Sequence, residues 1–361
     1  MSLLFERFPQ LAARLPFRSL GNFPTALERV DGLVSSRIDL WIKREDQSGT
    51  LYGGNKVRKL ELLLGAVSDD VLHGDPEKKP RLLTLGAWGS NHAIAVALYG
   101  QKLGLAVDTV LFPQPLTAET APYLQKQLLS QLAADATLWP ARTFVSVPAT
   151  FLRAYLSAAG PLVHIPAGGS SAAGVLGWVS GGMEIAAQLA AQGERPFDVV
   201  YVTIGTGGTA AGLWLGLGDA ARALRGVRVV PWPIASESGV RLLTRNAQRL
   251  FHKLTGQTLT PQPGFSVDGR FVGPGIGYGA VTAASRDAVG RARAMGLALE
   301  TTYTGKTLAA LLADADSGLL DGKRVLFVNT ASSVDLSVLR QRADLHKLPP
   351  WLFRKLQSAK M

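Results

Sequence analysis

Short runs of β-branched and aliphatic residues recur along the chain, and each is followed by a glycine turn and an Ala/Leu-rich stretch with helical spacing. Such runs are Arg81–Leu85 before GAWGSNH, Val107–Phe112, Asp198–Ile204 before GTGGTAAG, Val227–Pro231 and Arg324–Asn329. From Val57 onward, after Gly53, Gly54 and the cap residue Asn55, apolar positions again fall at helical intervals. Strands alternating with helices predict an α/β fold of open, twisted parallel sheets covered on both faces. Ligands of such folds sit where strand carboxyl ends meet helix amino ends.

The polar, turn-rich segment Asp69–Pro80 reads as a loop between units, and the glycine-dense passage Gly168–Gly182 as the return from one domain to the other. At 361 residues, 47% hydrophobic and 18% charged, the chain suits two globular domains. Two uncharged runs, Pro161–Met183 and Val199–Gly218, reach membrane-spanning length, but their Gly, Ser and Thr favour buried strand-turn-helix passages. Met1–Leu15 carries Glu6, Arg7 and Arg14 and lacks the apolar stretch of a secretory signal, so a cytoplasmic protein is expected.

There is no cysteine, and the five histidines stand far apart, which argues against disulfides and a metal site. The net charge of +11 comes from scattered Lys and Arg without a basic run, so the surplus reads as a solvated surface that attracts small anions, with no nucleic-acid partner. The basic tail His346–Lys360 is expected to pack Trp351, Leu352 and Leu356 onto the body.

Three glycine turns carry the candidate chemistry. In GGNKVRKLE, Lys56 stands at a helix amino terminus, where the macrodipole disfavours a cation that has no other task. The plainer alternative is that Lys56, Arg58 and Lys59 form an exposed basic face. In the turn Thr203–Leu213, consecutive glycines and threonines direct N–H groups and hydroxyls toward one point, a phosphate cup at Gly205, Thr206, Gly207, Gly208 and Thr209. Its Gly205-x-Gly207-x-x-Ala210 spacing also fits a dinucleotide-binding oxidoreductase. That reading wants an acid about twenty positions on, where Arg225 stands and Pro231-Trp232-Pro233 follows. In the third turn, Ser90 and Asn91 either cap a helix or offer a hydroxyl and an amide to a ligand.

Taken together, Pro24–Glu28, KRED, GGNKVRKLE, GAWGSNHA, GVLGWVSGGMEIAAQ, GTGGTAAG and Thr302–Lys306 resemble the D-cysteine desulfhydrase and 1-aminocyclopropane-1-carboxylate deaminase family. The matches run in the family's order from about residue 20 to about residue 310. The resemblance implies a pyridoxal 5'-phosphate cofactor and a tryptophan-synthase-β-like fold (fold type II), with a large domain of residues 1–65 and 171–361 and a small domain of residues 66–170. It implies a homodimer acting on a small amino acid, without a membrane partner.

By the same resemblance Lys56 forms the Schiff base and takes up the α-proton, Asn91 contacts the cofactor's ring hydroxyl, and Gly205–Thr209 bind its phosphate. Ser90 and Tyr303 are the substrate-side residues, with Tyr278 a further candidate, and Thr304 faces the pyridine nitrogen. The deaminase has glutamate at that last position and the desulfhydrase threonine. Thr304 therefore favours α,β-elimination of D-cysteine, or a related β-substituted D-amino acid, to pyruvate, ammonia and hydrogen sulfide. Deamination of the cyclopropane amino acid is the alternative. Three departures stand out: Gly89 replaces the family's Gln, the last strand ends in NTASS where a Gly-Gly turn is usual, and the tyrosine after Gly-Pro-Gly aligns with Ile276, two residues before Tyr278. The first two also motivate a non-catalytic cofactor carrier.

Overall fold

A computed structural model describes residues 2–73, 75, 79–157, 160–231, 234–261, 264–273 and 277–359. The chain divides into two compact units: Met1–Leu64 with Ser170–Val334, and Gly65–Gly169 with Asp335–Met361.

The first unit is built on six strands: β1 (Leu27–Arg29), β2 (Asp39–Lys43), β7 (Val199–Ile204), β8 (Leu224–Arg228), β9 (Phe265–Asp268) and β10 (Arg324–Val328). They lie in the order β1-β2-β10-β7-β8-β9. All neighbours are parallel except β1 with β2. Every residue of β7 (VVYVTI) and β10 (RVLFV) is buried, as helices on both faces of a parallel sheet require. The second unit holds β3 (Arg81–Ala87), β4 (Val107–Phe112), β5 (Thr137–Pro140) and β6 (Leu162–Ile165), all parallel, in the order β5-β4-β3-β6. No helix among the described residues is long and apolar enough to cross a membrane.

The structure differs from the sequence-based expectations in three places. β8 spans Leu224–Arg228 rather than Val227–Pro231, because Gly226, which interrupts the apolar pattern, lies inside the strand. A Cβ there would stand 2.1 Å from Ile204 Cδ1, so the bare backbone is what lets β8 pair with β7. Trp232 and Pro233 of the expected continuation lie outside the described residues. Within the expected loop Asp69–Pro80, Asp69–His73 form a short helix, with acids in its first turn and His73 in its last, as the macrodipole favours. Gly74 and residues 76–78 lie outside the description.

The glycine-dense passage does hold the return between units, since the second unit's segment ends at Gly169 and the first unit resumes at Ser170; it leads into the helix Ala172–Ala191, capped by Ser171 Oγ, which accepts from Gly174 N at 3.1 Å. Finally, residues 335–361 belong to the second unit, not the large domain. Leu348, Leu352 and Leu356 repeat every four residues and are buried with Trp88, Leu124 and Leu128 of that unit. Lys360, at the end of the expected tail, lies outside the described residues.

Candidate active site

At the carboxyl edge of the six-stranded sheet, three segments of the first unit meet. The turn before Lys56 is pinned on every side. Gly53 N donates to Ser332 Oγ (2.9 Å) and Asn55 N to the Thr330 carbonyl (3.2 Å), while the Asn55 carbonyl accepts from Trp178 Nε1 (2.9 Å). Gly54 has φ +89, and a Cβ on it would stand 2.6 Å from the Ala331 carbonyl oxygen, so this position requires glycine. The NTASS end of the last strand thus braces the lysine turn by backbone and hydroxyl contacts. Most telling is the side chain of Asn55, which donates from Nδ2 to Thr209 Oγ1 at 2.8 Å. Lys56 and the glycine-threonine bend, about 150 residues apart in sequence, are therefore neighbours.

That bend opens the helix Gly208–Gly216, with Gly207 in the left-handed region at φ +87. The first-turn N–H groups of a helix have no intrahelical acceptor, and the dipole there favours an anion. Ser170 Oγ lies 2.6 Å from Thr206 Oγ1 and accepts from Gly208 N at 3.2 Å. A Cβ on Gly208 would meet Ser170 Oγ at 2.6 Å and Lys59 Nζ at 3.0 Å. Lys59 is only 1% exposed, and burial, reinforced by the Lys56 charge, pushes its amine well below the usual range. A phosphate dianion in the cup would favour the charged form of that amine, so the residues fit a phosphorylated cofactor. The reading of Lys56, Arg58 and Lys59 as an exposed face is thereby corrected: Arg58 and Lys59 are buried.

Lys56 itself is partly buried, and no hydrogen bond or ion pair from the described residues holds its ammonium. Burial lowers its pKa to about 8, with the Glu300 charge acting in the opposite direction. Glu300 escaped the sequence analysis. Its carboxylate accepts from the backbone N–H groups of Thr302 (2.8 Å), Tyr303 (3.0 Å) and Thr304 (2.8 Å), and so caps the helix Thr304–Asp316. Burial raises the Glu300 pKa against these bonds. Lys306, fully buried, has no hydrogen-bond partner for Nζ among the described residues. Burial lowers it to about 8 while Glu300 again opposes.

Thr304 is buried, and its hydroxyl is engaged by Glu300: Oγ1 donates to Glu300 Oε1 and accepts from Glu300 N, each at 3.2 Å. Tyr303 Cε1 lies 3.8 Å from where a Cβ on Gly205 would stand, which puts this ring beside the bend. The Tyr278 and Tyr303 hydroxyls are in contact, and burial raises the Tyr278 pKa. Tyr278 thus joins Tyr303, whereas Ile276 lies outside the described residues.

Ser90 and Asn91 belong to the second unit. Ser90 caps the helix Asn91–Lys102, accepting from Ala93 N at 3.2 Å. Asn91 Oδ1 accepts from Gln127 Nε2 (2.5 Å) and the Tyr123 hydroxyl (3.3 Å), which fixes the amide. At Gly89 a Cβ would stand 2.8 Å from Leu124 Cδ2 and 2.9 Å from Tyr123 Cε1, so a larger residue does not fit as the turn stands. Gln114 Oε1 accepts from Gly89 N at 3.0 Å, bringing a side-chain amide to the turn from elsewhere in the same unit.

Behind the lysine turn, KRED, GGNKVRKLE and GWVSGGMEIAAQ contribute one buried ion cluster. Arg58 donates from Nε to Glu45 Oε2 (2.9 Å) and from Nη2 to Glu45 Oε1 (2.7 Å) and Glu184 Oε1 (2.8 Å). Lys43 Nζ reaches the same Glu184 oxygen at 2.5 Å. Burial works against the Glu184 charge, yet Arg58 and Lys43 hold its carboxyl below the usual range.

A two-unit α/β protein with a buried amine beside a phosphate cup is the architecture of one cofactor class. The chain belongs to the pyridoxal-phosphate dependent enzyme family, whose model matches residues 18–331. It is 32% identical over 332 residues to a D-cysteine desulfhydrase of Yersinia pestis, covering 90% of this chain and 96% of that protein. It is 29% identical over 339 residues to a bifunctional D-cysteine desulfhydrase/1-aminocyclopropane-1-carboxylate deaminase, mitochondrial, of Arabidopsis thaliana, covering 88% of this chain and 78% of that one. A crystal structure of an ACC deaminase homologue superposes with a TM-score of 0.71 at 27% identity, over 94% of this chain and 98% of that chain. The cofactor is pyridoxal 5'-phosphate and the fold is that of the type II enzymes, so the dinucleotide reading of the bend falls.

Proposed function

We propose that this chain is a lyase that eliminates the β-substituent of D-cysteine, or of a related small β-substituted D-amino acid, releasing pyruvate, ammonia and hydrogen sulfide. The observation that carries the reading is the Asn55–Thr209 hydrogen bond, which ties the lysine turn to the phosphate bend. The bound cofactor supplies an electron sink for the substrate's α-carbon.

The protein's own residues do the rest. Gly205, Thr206, Gly207, Gly208 and Thr209, with Lys59 and Ser170 behind them, hold the phosphate. Lys56 anchors the cofactor and, with its pKa lowered to about 8, removes the α-proton. Tyr303 and Tyr278 form the hydroxyl pair beside the bend. Ser90 takes the substrate carboxylate, and Asn91 the ring hydroxyl. Thr304 provides a neutral hydroxyl at the pyridine nitrogen, which favours elimination over opening of a cyclopropane. The same reading, following the family resemblance, makes the active form a cytoplasmic homodimer.

Borohydride reduction followed by peptide mass mapping tests the site: the pyridoxyl adduct is expected on Lys56, and an adduct on another lysine overturns it. Lys56→Ala removes the adduct and costs about 10²- to 10⁴-fold in turnover, the worth of a positioned general base. A substrate panel then decides the reaction. Pyruvate from D-cysteine is the expected product, whereas 2-oxobutanoate from the cyclopropane amino acid, without turnover of D-cysteine, makes the chain a deaminase. Binding of cofactor without turnover of any amino acid makes it a carrier.

A further inference from the structure

Arg58 and Glu184 are 3% and 6% exposed, yet each keeps one polar atom in reserve. Arg58 uses Nε and Nη2 on Glu45 and Glu184, and Glu184 receives Thr25 N, Lys43 and Arg58 all on Oε1. Among the described residues Arg58 Nη1 and Glu184 Oε2 have no hydrogen-bond partner, and neither is sealed off by protein atoms. The accessible space that both residues line is a cavity of about 260 Å³ in the first unit. Phe17, Phe23 and Leu62 supply apolar wall, and Ala187 lines it from the helix Ala172–Ala191. The Arg58 guanidinium lies over the Phe23 ring at 3.9 Å, which holds it at the cavity floor.

This cavity is distinct from the cofactor cup. Lys59 faces the bend, whereas Arg58 and Leu62 leave the helix Val57–Gly65 toward the cavity. Both atoms remain accessible to water, so a ligand that brings the complementary groups can take the place of that water.

We propose that the cavity is a second binding site, which takes a zwitterionic α-amino acid with a small apolar side chain. The ligand carboxylate accepts from Arg58 Nη1, its ammonium donates to Glu184 Oε2, and the side chain lies against Phe17, Phe23 and Leu62. Charge balance selects the zwitterion. Lys43 and Arg58 offset Glu45 and Glu184 in the ion cluster, and among the lining side chains Arg58 offers the one positive group and Glu184 a negative one, so each end of a zwitterion meets an opposite charge. Burial also raises Glu61, on the same wall, to about 7, which tempers its charge near neutral pH, and Glu6 is exposed to water. A molecule bound here lies against the helix Val57–Gly65, which follows Lys56.

Isothermal titration of the holoenzyme with leucine, each enantiomer in turn, tests the site, with 4-methylpentanoate and isopentylamine as probes that lack one charge each. Ala187→Trp fills the cavity from a wall residue that is itself a member of neither the ion cluster nor the cofactor cup. The expected result is leucine binding that Ala187→Trp abolishes and Glu184→Gln weakens about tenfold or more, the worth of one charge-assisted hydrogen bond. Should Glu184→Gln fail to fold, the Ala187→Trp comparison decides alone. Three results overturn the proposal: no leucine binding, equal binding to wild type and Ala187→Trp, or binding of either singly charged probe as tight as that of leucine.

Discussion

At the scale of single residues, the site is a problem of charge in a dry place. Lys56, Lys59 and Lys306 carry amines that burial drives below their usual range, and Glu300 is the carboxylate that acts on two of them. Glu300 keeps its position because three backbone N–H groups point at it, so replacing its charge need not move it. Glu300→Gln retains an acceptor for the helix cap while removing the charge. Since a nearby negative charge favours the ammonium form, its loss lets the Lys56 pKa fall further below about 8. Neutral amine then appears at lower pH, and the acid limb of the kcat/KM profile moves the same way. Competitive acylation of the cofactor-free protein, with mass mapping of Lys56 across a pH series, reads the same shift without relying on turnover. A midpoint that stays in place or rises shows that Glu300 does not set this lysine's protonation.

At the scale of elements, glycine explains how the lysine helix comes so close to its support. A Cβ on Gly177 would stand 2.1 Å from the Arg58 carbonyl oxygen, and one on Gly212 would stand 2.3 Å from Trp178 Cβ. The helix Ala172–Ala191 therefore meets Val57–Gly65 backbone against backbone, and meets Gly208–Gly216 with Trp178 Cβ and the Val175 carbonyl against bare backbone. Gly177→Ala is expected to force the lysine helix off its partner, a small-to-large change that costs about 1–3 kcal/mol or more. Cofactor affinity should drop with it; a melting temperature and a cofactor dissociation constant both equal to wild type would refute the close-packing account. The alternation of strand and helix was legible in the sequence, because buried parallel strands are continuous apolar runs and their turns carry glycine. β8 was misplaced for the same reason: Gly226 looks like a boundary in one dimension and is a contact with Ile204 in three. The glycine-threonine bend before the helix Gly208–Gly216 was legible through its turn chemistry, and the place of Lys56 before the helix Val57–Gly65 through the cap residue ahead of it. Lys59, Ser170 and Gln114 were not, since each acts through an approach between segments that no local spacing announces, and Glu300, though it caps the helix just after it, meets Lys56 only in three dimensions.

At the scale of the whole molecule, the chain's last residues return to the second unit rather than ending in the first. The helix Pro350–Ser358 buries Leu352 and Leu356 against Trp88, Leu124 and Leu128, with Lys355 Nζ 5.4 Å from the Trp88 ring centre. Trp88 stands two residues before Ser90, so the tail holds the turn that presents Ser90 and Asn91. Leu352 is fully buried, and Leu352→Ala should cost about 2–5 kcal/mol through lost burial and the cavity left behind. The loss should be local to its unit. Amides of the turn 88–93 are expected to exchange faster with solvent deuterium, while those of β7 keep their protection, because no residue of the β7 core packs in this cluster. Uniform loss of protection in both places would mean that the two units unfold as one, and that the tail stabilises the entire chain instead of one turn of it.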